Sequence, residues 1–404
     1  MKLKQDLTLT VLLQAGGGAA TLLAAVYIGR QLGPAQQGQF NQLKSLVDLC
    51  AAVAALGLPQ ALYVHAQAGR LALSTARRIA RRVALLGLPL GAAMVWWHFG
   101  GDAWLLMAAL GAAAALATLQ QLWRALALLG PATWRFNLVT VAPQVLLLPV
   151  AVLVVFLGGA SGTEVALALA GLWLLSCVAA NWALRLTPAP APAPAPAVSA
   201  QTVAAGDLLR HGAATWITAS AAMLGIVLLQ TVAQRLELDA GLGRFSMALL
   251  LMQLPLAPLS YAVPLLLRHR LTRQGQARLS RSLPWLCLPI LMSAGLAATL
   301  GAWRSDLFLG PGYAGLHTVL AWLLVAGAAE AGMRLLNVDA HAEGRPGRNA
   351  WAEVFRVSLL ALWVLVAATA PAGATLVNLA QTWALASWAA LVLLMALARQ
   401  QRPQ

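Results

Sequence analysis

The chain reads as an all-α polytopic membrane protein: about twelve transmembrane helices in two pseudo-symmetric six-helix bundles, with both termini cytoplasmic. Three observations predict this. Of the 404 residues, 60% are hydrophobic and only 10% charged, with a mean hydropathy of +0.75, whereas a soluble domain carries roughly 25% charged residues. The apolar residues gather in runs of about the 20 residues that cross a bilayer. A proline-alanine stretch then divides the runs into two sets of six. This composition excludes a soluble enzyme, a secreted disulfide scaffold and a nucleic-acid-binding domain, so no nucleic-acid partner is expected despite a net charge of +15.

The first six runs fall at about 7–29, 40–64, 83–100, 103–129, 137–158 and 164–184. The second six fall at about 208–234, 245–267, 283–302, 315–337, 350–370 and 375–398. The first follows Lys2 and Lys4 like a signal peptide. It is longer than a typical apolar signal core and leads straight into another span, so it is read as an uncleaved helix. Orientation follows from the positive charges. With the N-terminus in the cytoplasm, 18 of the 27 Lys and Arg lie on that side, and only Arg30, Arg235, Arg244 and Arg304 lie outside, a strong positive-inside bias. The Arg-rich loops 70–82 and 268–281 are read as topological anchors rather than as specific lipid-headgroup sites. Cys50, Cys177 and Cys287 lie far apart in apolar runs, as buried thiols do, and no metal or cofactor spacing is present.

Residues 187–199 begin with the alternating Pro-Ala stretch from Pro188 to Pro196, an extended cytoplasmic spacer. It separates an N-terminal bundle, 1–186, from a C-terminal bundle, 200–404. The two resemble each other. An offset of 205 residues superposes Arg30, Ala35, Gly38 and Phe40 on Arg235, Ala240, Gly243 and Phe245, and Pro59 on Pro264. Six spans separate the copies, so the repeat is parallel, a transporter architecture more often than an enzyme one.

The opening ninety residues carry a further likeness. A first helix ends in Arg30 and Leu32-Gly33-Pro34, a short external turn holds Gly38 and Phe40, and the second helix ends in Gly57-Leu58-Pro59-Gln60-Ala61. This pattern resembles the polysaccharide flippase family of the multidrug/oligosaccharidyl-lipid/polysaccharide exporter superfamily. The resemblance implies a multi-pass protein of the bacterial inner membrane that flips undecaprenyl-pyrophosphate-linked oligosaccharide. It implies two bundles around a cavity that alternates between inward- and outward-open states. The expected partners are that lipid-linked substrate, the membrane lipids and other proteins of polysaccharide assembly.

Charges at bilayer depth are costly and usually face a cavity or one another. Lys44, Arg124, Arg210, Arg334 and Arg356 are the basic residues within spans. Lys44 stands four residues before Asp48, Glu330 four before Arg334, and Glu353 three before Arg356, spacings that place each pair on one helix face. Each pair is either structural or part of substrate or proton handling. Arg124, Arg210, Arg334 and Arg356 are the candidates to hold a pyrophosphate, since guanidinium offers planar donors to phosphate oxygens. For Arg124 and Arg210 the alternative is snorkelling to headgroups. His211 has a pKa range suited to a proton-coupled step, as an alternative to Glu330 or Glu353. Gly16, Gly17 and Gly18 form a candidate hinge, against the commoner role of glycine in helix packing. Trp96, Trp97, Trp104, Trp303, Trp383 and Trp388 fall near span ends, as interfacial anchors do.

Three rivals are weighed. A glycan polymerase or ligase needs catalytic groups in sizeable external loops, and the longest external connection, 303–314, has only Arg304 and Asp306 as charges. A major-facilitator transporter would carry an Asp-Arg-x-Gly-Arg loop after the second span. A cation-coupled multidrug antiporter favours acidic residues in its cavity, whereas five basic residues stand against Asp48, Glu330 and Glu353 here. The reading is a non-enzymatic flippase, with the antiporter as runner-up.

Overall fold

The computed structural model describes residues 2–100, 102–129, 133–158, 162–185, 204–272, 283–343, 345–369 and 374–400. The linker at 187–199 and most of the loop at 268–281 lie outside them. Among the described residues all regular structure is helical. The first half contains α1 (Lys2–Ala54), α2 (Leu58–Gln67), α3 (Leu73–Ala84), α4 (Gly87–Phe99), α5 (Trp104–Ala127), α6 (Thr133–Phe156) and α7 (Gly162–Arg185). The second contains α8 (Ala205–Leu236), α9 (Leu238–Thr272), α10 (Leu283–Leu309), α11 (Leu316–Ala342), α12 (Gly347–Thr369) and α13 (Leu376–Gln400).

Ten segments are long and apolar enough to cross a membrane. One of them, Thr8–Ala54, has 47 residues, more than twice the roughly 20 a bilayer requires. Its helix breaks at Gly33 (φ 82°, ψ 174°), just before Pro34, so it makes two passes. With that segment counted twice and the apolar stretch Leu283–Thr299 of α10 included, the twelve expected passes are present. The turn expected between the first two spans is therefore a kink, confined to the one residue whose positive φ costs glycine little. The offset of 205 carries Gly33 onto Leu238, where α8 gives way to α9, so the repeat extends to the position of the break. The copies differ one helix further on. Leu56 (φ 51°) and Gly57 (φ 67°) separate α1 from α2, while α9 runs on unbroken to Thr272.

The Arg-rich loop expected at 70–82 is helical from Leu73 onward. Within α3, Ala76, Ala80 and Ala84 recur every fourth residue and are buried, while Arg77, Arg78, Arg81 and Arg82 occupy the remaining faces. Arginine is a good helix former, and no Gly or Pro interrupts the stretch, so a charge run that lowers hydropathy does not lower helicity.

The duplication is plainest in the packing. In the first half α5 is the hub, packed on α2, α3, α4, α6 and α7. In the second half α11 packs on α9, α10, α12 and α13. Each hub is the fourth pass of its half. Small residues let the first hub's neighbours approach closely: a Cβ on Gly91 of α4 would stand 2.7 Å from Gly111 Cα of α5. The contacts group the described chain into two compact units, one of 1–24 with 43–223 and the other of 25–42 with 224–404. Unit 1 thus includes the start of α8, and unit 2 includes the kinked segment of α1. Cys50, Cys177 and Cys287 are free and buried, as their apolar surroundings predict.

Candidate functional site

Unit 2 has a charged interior. On α11, Glu330 and Arg334 lie one turn apart, and their carboxylate and guanidinium are in direct contact. Arg334 Nη2 also donates to Gln253 Oε1 of α9 at 3.2 Å. On α12, Arg356 Nη2 stands 2.6 Å from Glu353 Oε2, and Arg356 Nη1 stands 3.9 Å from the second oxygen of Glu330. The Arg356 guanidinium carbon lies 4.3 Å from the ring centre of Trp383 on α13, within cation–π range. Arg356 is 2% exposed and Glu353 7%. A single ion here would be strongly destabilising, so pairing two carboxylates with two guanidiniums is what permits the burial. Asn349 donates to Asn337 toward the same end of α11 and α12. α8 reaches this group because position 225 is glycine: a Cβ there would lie 2.9 Å from Trp383 Cη2.

Unit 1 has a polar interior of a different kind. Thr10 and Gln14 of α1 and Asn137 of α6 are fully buried. Among the described residues, Thr10 Oγ1 and both amide atoms of Gln14 and of Asn137 have no hydrogen-bond partner. The two helices meet at Gly17, where a Cβ would overlap the Gln144 side chain. Thr10 and Asn137 each lie seven residues before that meeting point. Other buried polar groups bond to backbone: Gln120 Nε2 donates to Val139 O at 2.7 Å and Thr118 Oγ1 to Ala114 O at 2.7 Å. The Arg124 guanidinium carbon lies 5.5 Å from the ring centre of Phe136, the residue before Asn137. Among the described side chains of unit 1, no Asp or Glu is buried.

The repeated motif packs at the kink, within unit 2. A Cβ on Gly38 would lie 2.7 Å from Gly243 N, and one on Gly243 would overlap the Pro34 carbonyl, so each glycine of the repeat admits the other copy's backbone. Phe40 and Phe245 are buried beside them. Tyr313 OH donates to Gln37 Oε1 at 2.7 Å, and Gln42 Nε2 donates to Gln234 Oε1 at 3.1 Å. Burial raises the Tyr313 pKa well above the ordinary phenol value, so this group remains a donor across the physiological range.

The four candidate arginines divide two and two. Arg334 and Arg356 meet at Glu330, and Arg124 and Arg210 belong to unit 1. Arg210 is exposed. The neighbouring His211 makes an edge contact with His65, ring centres 5.5 Å apart. Lys44 and Asp48 form their ion pair at 2.7 Å. Gly16, Gly17 and Gly18 lie inside continuous helix, with the kink at Gly33. Trp96, Trp97 and Trp104 are exposed as anchors are, but Trp383 is 2% exposed and stacks on Arg356, and Trp388 donates to Val325 O at 3.1 Å. Those two belong to the interior. Spacing along one helix could not reveal Gln253, Trp383 or the Gln37–Tyr313 bond, each of which joins separate elements. The Thr10, Gln14, Gly17 stripe at helical period was the one readable sign of the α1–α6 contact.

No protein-family model matches the chain, and no curated protein matches it in sequence. Solved structures do match its fold. An inward-facing multidrug-resistance MATE family transporter of the MOP superfamily aligns with a TM-score of 0.68 at 13% identity, over 97% of this chain and 98% of that one. An outward-facing MATE family transporter aligns with a TM-score of 0.64 at 15% identity, over 99% and 95%. A MOP superfamily transporter from Pyrococcus furiosus, whose binding pocket of reverse polarity suggests a different function, aligns with a TM-score of 0.62 at 13% identity, over 99% and 94%. The chain therefore has the fold of MATE-type MOP superfamily transporters, along its whole length.

Proposed function

We propose that the chain is a flippase that carries undecaprenyl-pyrophosphate-linked oligosaccharide across the bacterial inner membrane by alternating access, for O-antigen, capsule or exopolysaccharide assembly. The transporter fold and the Arg30–Phe40 motif with its duplicate support this reading. The observation that carries it is the chemistry of unit 1. Thr10, Gln14 and Asn137 are buried and neutral, with side-chain atoms that have no hydrogen-bond partner among the described residues, and such groups ordinarily find a partner. Amides and hydroxyls complement the hydroxyls of a sugar, whereas an organic cation would select a carboxylate. Arg124, over the Phe136 ring, has uncharged Gln120 one turn before it. In this reading Arg124 and Arg210 receive the pyrophosphate from the cytoplasmic side. Glu330, Arg334, Glu353 and Arg356 form the ionic element whose partners exchange as the conformation alternates. Lys44, Asp48 and His211 lie along the coupling route.

The test is mass spectrometry of lipid-linked oligosaccharides in cells depleted of the protein, alongside a surface-glycan stain. The expected result is accumulation of the lipid-linked repeat with loss of surface glycan. Complementation by the double variant Arg124→Gln, Arg210→Gln should restore membrane insertion but leave flipping at least about tenfold slower, from the lost charge-assisted bonds. Unchanged lipid pools with altered sensitivity to cationic drugs would instead establish the antiporter, and single repeat units accumulating on the outer side would establish a polymerase.

A further inference from the structure

In unit 1, α3 places Arg77, Arg78, Arg81 and Arg82 within six residues, and no Asp or Glu occurs between Asp48 and Asp102. Among the described residues no carboxylate pairs with any of the four. The helix buries Ala76, Ala80 and Ala84 and packs on α5. At roughly 100° per residue, the arginines share a single face of about 140° away from that alanine stripe. They form two rows along the axis, Arg77 with Arg81 and Arg78 with Arg82, each pair one turn apart. Like charges at that spacing repel and destabilise a helix. Arg77 reaches α7, where its Nη2 donates to Leu184 O at 2.5 Å, and its buried Nε has no hydrogen-bond partner among the described residues. Arg78, Arg81 and Arg82 are exposed. Directly beyond them the surface turns apolar, with Leu85 59% and Leu88 42% exposed. Both leucines lie in the stretch Leu73–Phe99, which is long and apolar enough to cross a membrane. The positive-inside charge distribution puts its arginine end at the cytoplasmic headgroups. A topological anchor requires only net positive charge there, not four guanidinium groups on one face without an anion.

We infer that this face of α3 binds a cardiolipin of the inner leaflet, each row of arginines holding one of its two phosphates. Charge complementarity selects the occupant. Guanidinium groups meet phosphate oxygens through paired, charge-assisted hydrogen bonds, and two rows call for two phosphates. The rows diverge from the helix axis, so they suit phosphates joined through a glycerol better than phosphates that share one oxygen. A headgroup with one phosphate would leave one row without an anion, and a zwitterionic headgroup would bring an ammonium toward the guanidinium groups. The acyl chains descend past Leu85 and Leu88. The bound dianion supplies the counter-charge that the sequence around α3 omits, and so relieves the repulsion between Arg77 and Arg81 and between Arg78 and Arg82.

Native mass spectrometry of the purified full-length protein tests this. The probes are cardiolipin, phosphatidylglycerol and phosphatidylethanolamine of matched chains. Cardiolipin should bind about tenfold more tightly than phosphatidylglycerol, as expected when a second phosphate adds its own charge-assisted hydrogen bonds. The double variant Arg78→Lys, Arg82→Lys keeps every positive charge, and with it the topology, but loses the planar donors of one row. It alters only exposed side chains, so the fold should stand while cardiolipin falls to the affinity of phosphatidylglycerol. Arg70→Gln removes an exposed charge outside α3 and should leave the preference intact. Equal binding of cardiolipin and phosphatidylglycerol by the wild-type protein, a lysine variant that keeps the preference, or a loss as large in Arg70→Gln would each overturn the assignment. Displacement of cardiolipin by equimolar undecaprenyl pyrophosphate would give the face to that lipid and overturn it as well.

Discussion

The fourth pass of each half occupies the same place and is filled with different chemistry. An offset of 210 residues carries Arg124 of α5 onto Arg334 of α11, and Gln120 onto Glu330. On α11 the acid one turn before the arginine joins a network of charges, Arg334, Arg356 and Glu353, that also takes in the Gln253 amide and the Trp383 ring. On α5 the amide in its place bonds to the backbone of α6, and the buried polar side chains described in unit 1 are hydroxyls and amides. Two copies of one bundle have thus satisfied the same demand, polar groups in an apolar interior, by different means. The charged version ties four helices together side chain to side chain. The neutral version relies on side-chain-to-backbone bonds and on small residues for contact between helices, and it leaves polar atoms over for a ligand.

That contrast can be broken by experiment. The largest effect is expected for Arg356→Met, which strips Glu353 of its partner in a buried site. It should cost about 3–5 kcal/mol, as removal of one member of a buried pair does, and thermal unfolding in detergent reads it. Glu353→Met combined with Arg356→Met should recover most of that loss, because the uncompensated charge is gone. A double variant as unstable as the single one would mean that volume, not charge, controls the site. Glu330→Gln, which makes α11 resemble α5, should cost about 2 kcal/mol, since hydrogen bonds to charged groups are worth roughly 1.5–3 kcal/mol each. The reciprocal change, Gln120→Glu, should cost at least about 1 kcal/mol, because the buried Val139 carbonyl loses its donor. By placing a carboxylate one turn from Arg124 it should also slow the proposed flipping about tenfold. The smallest effect is expected for Asn137→Leu. The amide has no partner among the described residues, so the unfolding midpoint should hold or rise while transport falls.

The passes were legible because membrane burial is written in composition. The ion pairs Lys44–Asp48, Glu330–Arg334 and Glu353–Arg356 were legible because helical spacing alone brings their members together. α3 was misread as a loop because four arginines lower hydropathy, although Ala76, Ala80 and Ala84 already marked a buried stripe. Trp383 was misread as an anchor because distance from a span end says nothing about which face of the helix meets a neighbour. The contacts of Gln37 with Tyr313 and of Gln253 with Arg334 join residues 276 and 81 positions apart, and no local pattern specifies them.

Gly38 and Gly243 are the same position in the two copies, and each abuts the other's strand of backbone. In an ancestor assembled from two identical halves, one nucleotide change at this codon would have introduced two methyl groups at a single crowded point. Fusion of the halves into one polypeptide separates the two codons, so each glycine is now inherited on its own. Both are still glycine. Whatever freedom the two hubs have to differ in chemistry, this point does not share it, because neither side leaves room for a carbon atom on the other.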